Sequence, residues 1–509
     1  MLTPTLCVLI TLLVTSSFLL NRRRNALPPG PLALPFVGNI LNTPRKHPWK
    51  VYAKWSSDHR SDLISLQTLG ATVIIINDIE VVHELFTRRA ALYSDRMSST
   101  VFDMMNLSRL LVFQSYGQLW TRYRRLFKLG FEADTHSTRH GHQLDATRRL
   151  LRRLLTTSDH QKDIQLAAGD AILSIIYGIK PTSGDDEYIT RAEELVRFVA
   201  DIALAGFLGN CHLILKATLP FLKLLPSWIP GADFKNMTRR GAELLDKTLR
   251  LPFEHVREAM IKGTAVSSVC SRYMALLDNI GTPDEEQIED MKNILGTAYL
   301  AMSLYPEVQK KAQDALDSAL HGRLPEFSDY GKIPYIDAVV NETLRWNPML
   351  PMGGPHILSK DDHYGGYFLP KGSICLPNVW AIFHNEKLYG PNTDEFVPER
   401  FLTADGQLNA SVASVDAAFG FGKRICPGRV IAREILWIVI ASVLTAFDIR
   451  DAVDTKGQPL ECDKIEYSSG VLRLAFHYVL KGFHIHMSYA VKLLILDADS
   501  SSVQKCLQP

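Results

Sequence analysis

The chain has 509 residues, 46% of them apolar and 22% charged, the balance of a globular protein with a large core and not of a disordered or fibrous chain. Fifty-six basic against 54 acidic residues leave a net charge of +2, which excludes a nucleic-acid partner held by bulk electrostatics, so any basic site is local. Seven scattered cysteines without a C-x-x-C pair argue against a disulfide framework or a zinc ribbon and fit a reducing, cytosol-facing environment.

Residues 2–20 are 19 positions without a charge, about 28 Å as a helix, enough to cross a hydrocarbon core. A cleaved secretory signal needs positive charge before its apolar run and small residues at its end. Here Arg22, Arg23 and Arg24 follow the run. Residues 1–21 therefore read as an uncleaved single-pass anchor, in the endoplasmic reticulum, with the rest of the chain in the cytosol and in contact with membrane lipid on one side. The glycosylation sequons at Asn106, Asn236, Asn341 and Asn409 are then chance. Residues 22–35 form a basic and proline-rich hinge: Leu27-Pro28-Pro29-Gly30-Pro31 cannot be helical and reads as a semi-rigid spacer.

Residues 62–77 have the β-branched density of a hairpin around Leu69-Gly70. Apolar residues at three- and four-residue spacing predict helices over 111–128, 144–155, 188–208, 239–261 and 306–320. Short strands are expected at 367–369 and 373–376, between turn residues. No internal repeat is present, so a single large domain of about 470 residues, mainly α with small β-sheets, is expected. Residues 221–230, Phe-Leu-Lys-Leu-Leu-Pro-Ser-Trp-Ile-Pro, form an apolar patch with two readings. It packs as a buried loop, or it dips Trp228 into a bilayer interface.

The segment Phe419-Gly420-Phe421-Gly422-Lys423-Arg424-Ile425-Cys426-Pro427-Gly428-Arg429 carries the chemistry. Two glycines permit close backbone approach to a flat cofactor, and Pro427-Gly428 favours a tight turn that aims an N–H at the Cys426 sulfur. A phosphate loop is excluded, because Arg424 stands where Ser or Thr must follow the lysine. With Phe419, Gly422, Cys426 and Gly428 at every fixed position, F-x-x-G-x-x-x-C-x-G resembles the haem-binding signature of the cytochrome P450 family.

Other segments resemble the family in the same order. Asn341-Glu342-Thr343-Leu344-Arg345 puts Glu342 and Arg345 on one helix face, and Phe396-Val397-Pro398-Glu399-Arg400-Phe401 follows about fifty residues later. The resemblance implies a Glu342–Arg345–Arg400 network bracing the cysteine loop. Trp120 and Arg124 sit one turn apart, as in the family's W-x-x-x-R motif. With His356 and Arg424 they are the candidates for holding haem propionates, although His356 reads equally as a loop histidine without a ligand role. The family likeness runs through residues 36–473, the expected catalytic domain; residues 474–509 are an atypical tail.

The resemblance implies haem b with Cys426 as axial iron ligand, and a monooxygenase. One oxygen atom of O2 enters an apolar small-molecule substrate, with electrons from NADPH through cytochrome P450 reductase. Arg122, Arg125, Lys128, Lys423 and Arg429 are candidates for docking that acidic reductase, or are simply a solvated face. Residues 97–115, 198–215 and 348–355, mostly apolar, are the expected pocket segments.

One departure stands out. Residues 293–306 join what look like both ends of the family's long distal helix, and the A-G-x-[DE]-T core that relays protons is absent. About 17 residues, roughly 25 Å of helix, are missing. Thr297 is the one threonine left there, a weak substitute. A skipped coding segment accounts for this gap, and wrong splicing likewise for the tail. Two other functions therefore stand beside monooxygenation: a haem-thiolate peroxygenase or isomerase, and a haem-binding pseudoenzyme.

Overall fold

The computed structural model describes residues 27–451, without 35–37, 45, 69–70, 98–99, 133–135, 156–159, 182–185, 208–233, 281–318 and 321–322, together with the strand Phe483–Met487. The expected leader, the 221–230 patch, the shortened distal run with Thr297, and nearly all of the tail lie outside these residues. Among the described residues no helix is long and apolar enough to cross a membrane.

The hairpin forms as expected. Strands β1 (Leu63–Thr68) and β2 (Ala71–Ile76) pair antiparallel from Leu63↔Ile76 to Thr68↔Ala71. They follow helix α1 (Pro48–His59), which starts on a proline whose missing N–H costs nothing there. The longer helices that follow are α2 (Gln118–Glu132), α3 (His136–Leu154), α4 (His160–Tyr177), α5 (Glu187–Phe207), α6 (Phe234–Ile261), α7 (Val269–Ile280) and α8 (Pro334–Trp346). Then come β3 (His356–Ile357), β4 (Asp362–Tyr364), β5 (Tyr367–Leu369), β6 (Ile374–Pro377), α9 (Arg429–Ala446), β7 (Phe447–Asp451) and β8 (Phe483–Met487). The main sheet has the order β1-β2-β6-β3, with β2 and β6 parallel; β4–β5 and β7–β8 are separate pairs.

Two expectations are corrected. The helix expected over 111–128 begins only at Gln118. The carbonyls of Leu111, Val112 and Gln114 accept side-chain bonds from Arg424 and Arg96, so they are not spent on helical turns. The proline segment is also no free spacer. Ser65 donates its N–H to the Pro29 carbonyl at 2.8 Å and its hydroxyl to that of Pro28, and Asn39 Nδ2 donates to Pro31 at 2.9 Å. Gly30 lies so close to β1 that a Cβ would sit 2.0 Å from the Ser65 oxygen.

Helix α9 is apolar on almost every face, as a helix surrounded by protein must be. Leu436, Trp437, Ile440 and Leu444 join a core with α8 and the sheet, while Ile431 and Ile435 join a second with α2, α4 and α7. The Cys426 loop ends where this central helix begins.

Candidate functional site

The loop that presents Cys426 opens with the 3-10 turn Val415–Phe419, capped by Ser414, whose hydroxyl accepts the Asp416 N–H at 3.1 Å. Gly420 (φ 86°) and Gly422 (φ 53°) then take left-handed conformations that favour glycine. The Cys426 N–H donates to the Phe419 carbonyl at 2.8 Å, closing the loop, and the Gly428 N–H lies beside the sulfur. Gly428 also caps α9. Gly422 corrects the sequence reading in part: a Cβ there would meet the Phe86 carbonyl oxygen at 2.0 Å, so the backbone it admits is that of the π-helical turn His83–Arg88.

Burial pushes the Cys426 thiol up, while the Gly428 N–H, Arg124 and Arg429 pull it back. A cation at the sulfur is what completes a thiolate in such a place, which fits an iron ligand.

Beside the loop, three guanidiniums converge. Arg124 donates to the Ile425 carbonyl at 2.8 Å; Arg424 donates to Ser94 at 2.7 Å and Gln114 at 2.8 Å; Arg96 donates to Pro355 and Val112. Trp120 is buried between two of them, with Arg124 and Arg424 5.7 and 4.8 Å from its ring centre. Burial lowers the pKa of all three, Arg96 to about 10 and Arg424 to about 9, and Arg96 and Arg124 further depress Arg424. Among the described residues no carboxylate forms an ion pair with any of them. Desolvated like charges held by neutral carbonyls fit a dianionic ligand, as two propionates would be.

Of this trio, Arg96 escaped the sequence reading. His356 is buried, stacked on Phe86 at 4.1 Å, and its Nδ1 donates to the Tyr93 carbonyl. Burial, then Arg96, holds its pKa well below the ordinary value. Its Nε2 then carries a lone pair, and becomes a donor only when a carboxylate offsets the arginines.

The expected contacts among Glu342, Arg345 and Arg400 are present, and the first two residues are fully buried. Glu342 and Arg345 are both 0% exposed and bond twice, at 2.6 and 2.8 Å. Arg345 spends its other N–H groups on the carbonyls of Phe383, Thr393 and Glu395. Glu342 Oε1 also accepts from Arg400 at 3.1 Å and from the Val397 N–H at 2.8 Å. Arg400 reaches the Tyr389 carbonyl, and the Tyr389 hydroxyl donates to Ser414, where the cysteine loop's entry turn is capped.

The sequence profile of the family described as Cytochrome P450 matches residues 28–263 and 292–473. The chain belongs to the cytochrome P450 family. It is 43% identical over 463 residues to the cytochrome P450 monooxygenase eriA of Hericium erinaceus, covering 87% of this chain and 86% of that one. It is 35% identical to the cytochrome P450 monooxygenase ple1 of Rhodocybe pseudopiperita (87% and 86% covered), and 33% identical to the tryptamine 4-monooxygenase of Psilocybe cyanescens (86% and 89%). This cytochrome P450 is thus an oxidoreductase of the monooxygenase class, and its family binds haem through a thiolate. The profile match ends at residue 473, where the sequence reading ends the family likeness. It breaks over 264–291, although α7 within the break is core, with Cys270 and Tyr273 buried.

Proposed function

We propose that the chain binds haem b with Cys426 as axial ligand and inserts one oxygen atom of O2 into an apolar substrate. The observation that carries this is the pairing of a half-buried sulfur beside the Gly428 N–H with three desolvated arginines that, among the described residues, form no ion pair with a carboxylate, Asp95 being the one acid whose charge reaches Arg96 and Arg424. Bound haem supplies the reductive activation of O2, to which a thiolate ligand pushes electron density. The protein's own part is to fix the sulfur, to hold the two carboxylates through Arg96, Arg124, Arg424 and Trp120, and to keep water from the apolar side.

An apolar substrate is supported by the character of the described pocket segments, in which Val101, Phe102, Met105, Leu107, Leu110 and Ile202 are buried in one apolar cluster. Electrons come from NADPH through a reductase docked on the basic face. Arg125, Lys128 and Lys423 are exposed there, and Arg122 and Arg429 partly so. The uncleaved anchor in the endoplasmic reticulum membrane completes the proposal.

A specific observation favours the second reading, a haem-thiolate peroxygenase, isomerase or pseudoenzyme: residues 293–306 lack the acid–threonine pair, leaving Thr297. Proton delivery of this kind is worth about 10²–10⁴ in rate. The test compares the chain, expressed with a reductase, with a version carrying a restored A-G-x-D-T helix core. Oxidation coupled to NADPH in the unmodified chain supports monooxygenation as written. Turnover only in the restored one, or with peroxide alone, supports the second reading.

A further inference from the structure

We infer that Arg433 is a positioning residue that clamps the Cys426 loop from the helix that follows it. This rests on Cys426 being the iron ligand. Arg433 lies in the second turn of α9, seven residues beyond the cysteine. One arm of its fork donates to Asn341 Oδ1 at 2.8 Å; the other donates to Asp416 Oδ1 at 3.0 Å. The face of the guanidinium lies 5.5 Å from the centre of the Phe419 ring. Three elements meet on this one side chain: α8, the entry turn of the loop, and the helix at its exit.

The consequence for the sulfur is direct. Phe419 supplies the carbonyl that receives the Cys426 N–H, so a hold on the Phe419 ring and on Asp416 fixes the acceptor that sets the cysteine backbone. Asn341 precedes Glu342, so Arg433 joins the helix of the buried Glu342–Arg345 pair to the loop by a second route, besides the Tyr389–Ser414 bond. The Arg433–Asp416 pair is partly exposed, with side chains 22% and 50% accessible, and as an ion pair contributes little. Its work is geometric: a rigid planar fork holds two partners at a fixed spacing and angle, which the rotatable point charge of a lysine does not. Residues that orient a metal ligand from behind are typically worth about 10–100-fold in metal affinity.

The experiment uses the full chain loaded with haem and the variants Arg433→Ala, Arg433→Lys and Asp416→Ala. Three quantities are read: haem dissociation rate, thermal unfolding, and the share of retained haem giving the red-shifted Soret band when reduced and bound to carbon monoxide. Arg433→Ala is expected to lose haem about tenfold faster and to lower the red-shifted share of what remains. Arg433→Lys and Asp416→Ala, each keeping one of the contacts, fall between it and wild type and serve if Arg433→Ala does not fold. Lower thermal stability with an unchanged red-shifted share and dissociation rate makes Arg433 merely structural and overturns the inference. A wild-type band that survives Cys426→Ala overturns the reading beneath it, and is recognised before any Arg433 variant is compared.

Discussion

Gly422 rests on Phe86: a Cβ at position 422 would stand 2.0 Å from the Phe86 carbonyl oxygen, and φ there is already 53°. Gly420, two residues earlier, has φ of 86° but no neighbour nearer than 3.7 Å to such a Cβ. The pair separates two uses of glycine in one loop. Gly420→Ala is expected to cost about 1–3 kcal/mol, the cost of a side chain on positive-φ extended backbone that glycine alone ordinarily adopts. Gly422→Ala adds displacement of the Phe86 turn and is expected to cost clearly more, with loss of haem. Urea unfolding of the two variants checks this; equal costs would mean that the turn yields freely.

The Glu342 pair gives a second expectation. Glu342→Ala leaves Arg345 charged at zero exposure and strips one bond each from Arg400 and Val397. Removing one partner of a buried pair costs about 3–5 kcal/mol, a large part of an ordinary domain's stability. Unfolding free energies and haem content should fall together. A loss below about 1 kcal/mol would put the pair in the class of surface salt bridges.

How far the sequence carried is instructive at particular residues. Periodicity located α5 and α6 within a few residues, and the Thr68↔Ala71 pairing falls where Leu69-Gly70 marks the turn. Motif order brought Glu342, Arg345 and Arg400 together from positions 58 residues apart. Arg96 and Arg433 were not found, because their partners are backbone carbonyls and residues far along the chain, and a guanidinium that bonds carbonyls leaves no pattern in composition or spacing. The late start of α2 has the same origin: side chains from distant segments compete for its carbonyls. Proline chemistry excluded a helix at 27–31 but said nothing of where those carbonyls would bond.

That docking makes a truncation series informative. Removing residues 1–26 leaves the bonds from Ser65 and Asn39 to Pro28, Pro29 and Pro31 intact. Removing 1–31 deletes three hydrogen bonds, about 1.5–4.5 kcal/mol together. Thermal or urea unfolding should show the step between the two truncations, and equal stability would return the segment to the role of a spacer.

Stability should also depend on pH through His384. Its Nδ1 donates to the Trp380 carbonyl at 2.9 Å and its ring stacks on Trp380 at 4.1 Å; burial lowers its pKa from 6.5 to about 4. The unfolded chain binds this proton first, so the contribution is present above pH 6.5 and is lost as pH falls to about 4. The loss is about 3 kcal/mol at most. Asp337 acts in the opposite sense: burial raises it from 3.8 to about 6, so its contribution is present below 3.8 and disappears as pH rises through 6. Urea titrations should show a weaker acid loss in His384→Phe than in wild type, and a stronger one in Asp337→Asn. Identical pH profiles for His384→Phe and wild type would contradict the first assignment.

The central claim is that Cys426 holds the iron. Cys270 and Cys375 are buried where Cys426 is only half-buried, and burial alone pushes both of their thiols up. The direct measurement is the carbon-monoxide spectrum of the reduced, haem-loaded protein for wild type and for Cys426→Ala, Cys270→Ala and Cys375→Ala. The red-shifted Soret band should vanish only in Cys426→Ala; its persistence in that variant would place the ligand elsewhere and contradict the account.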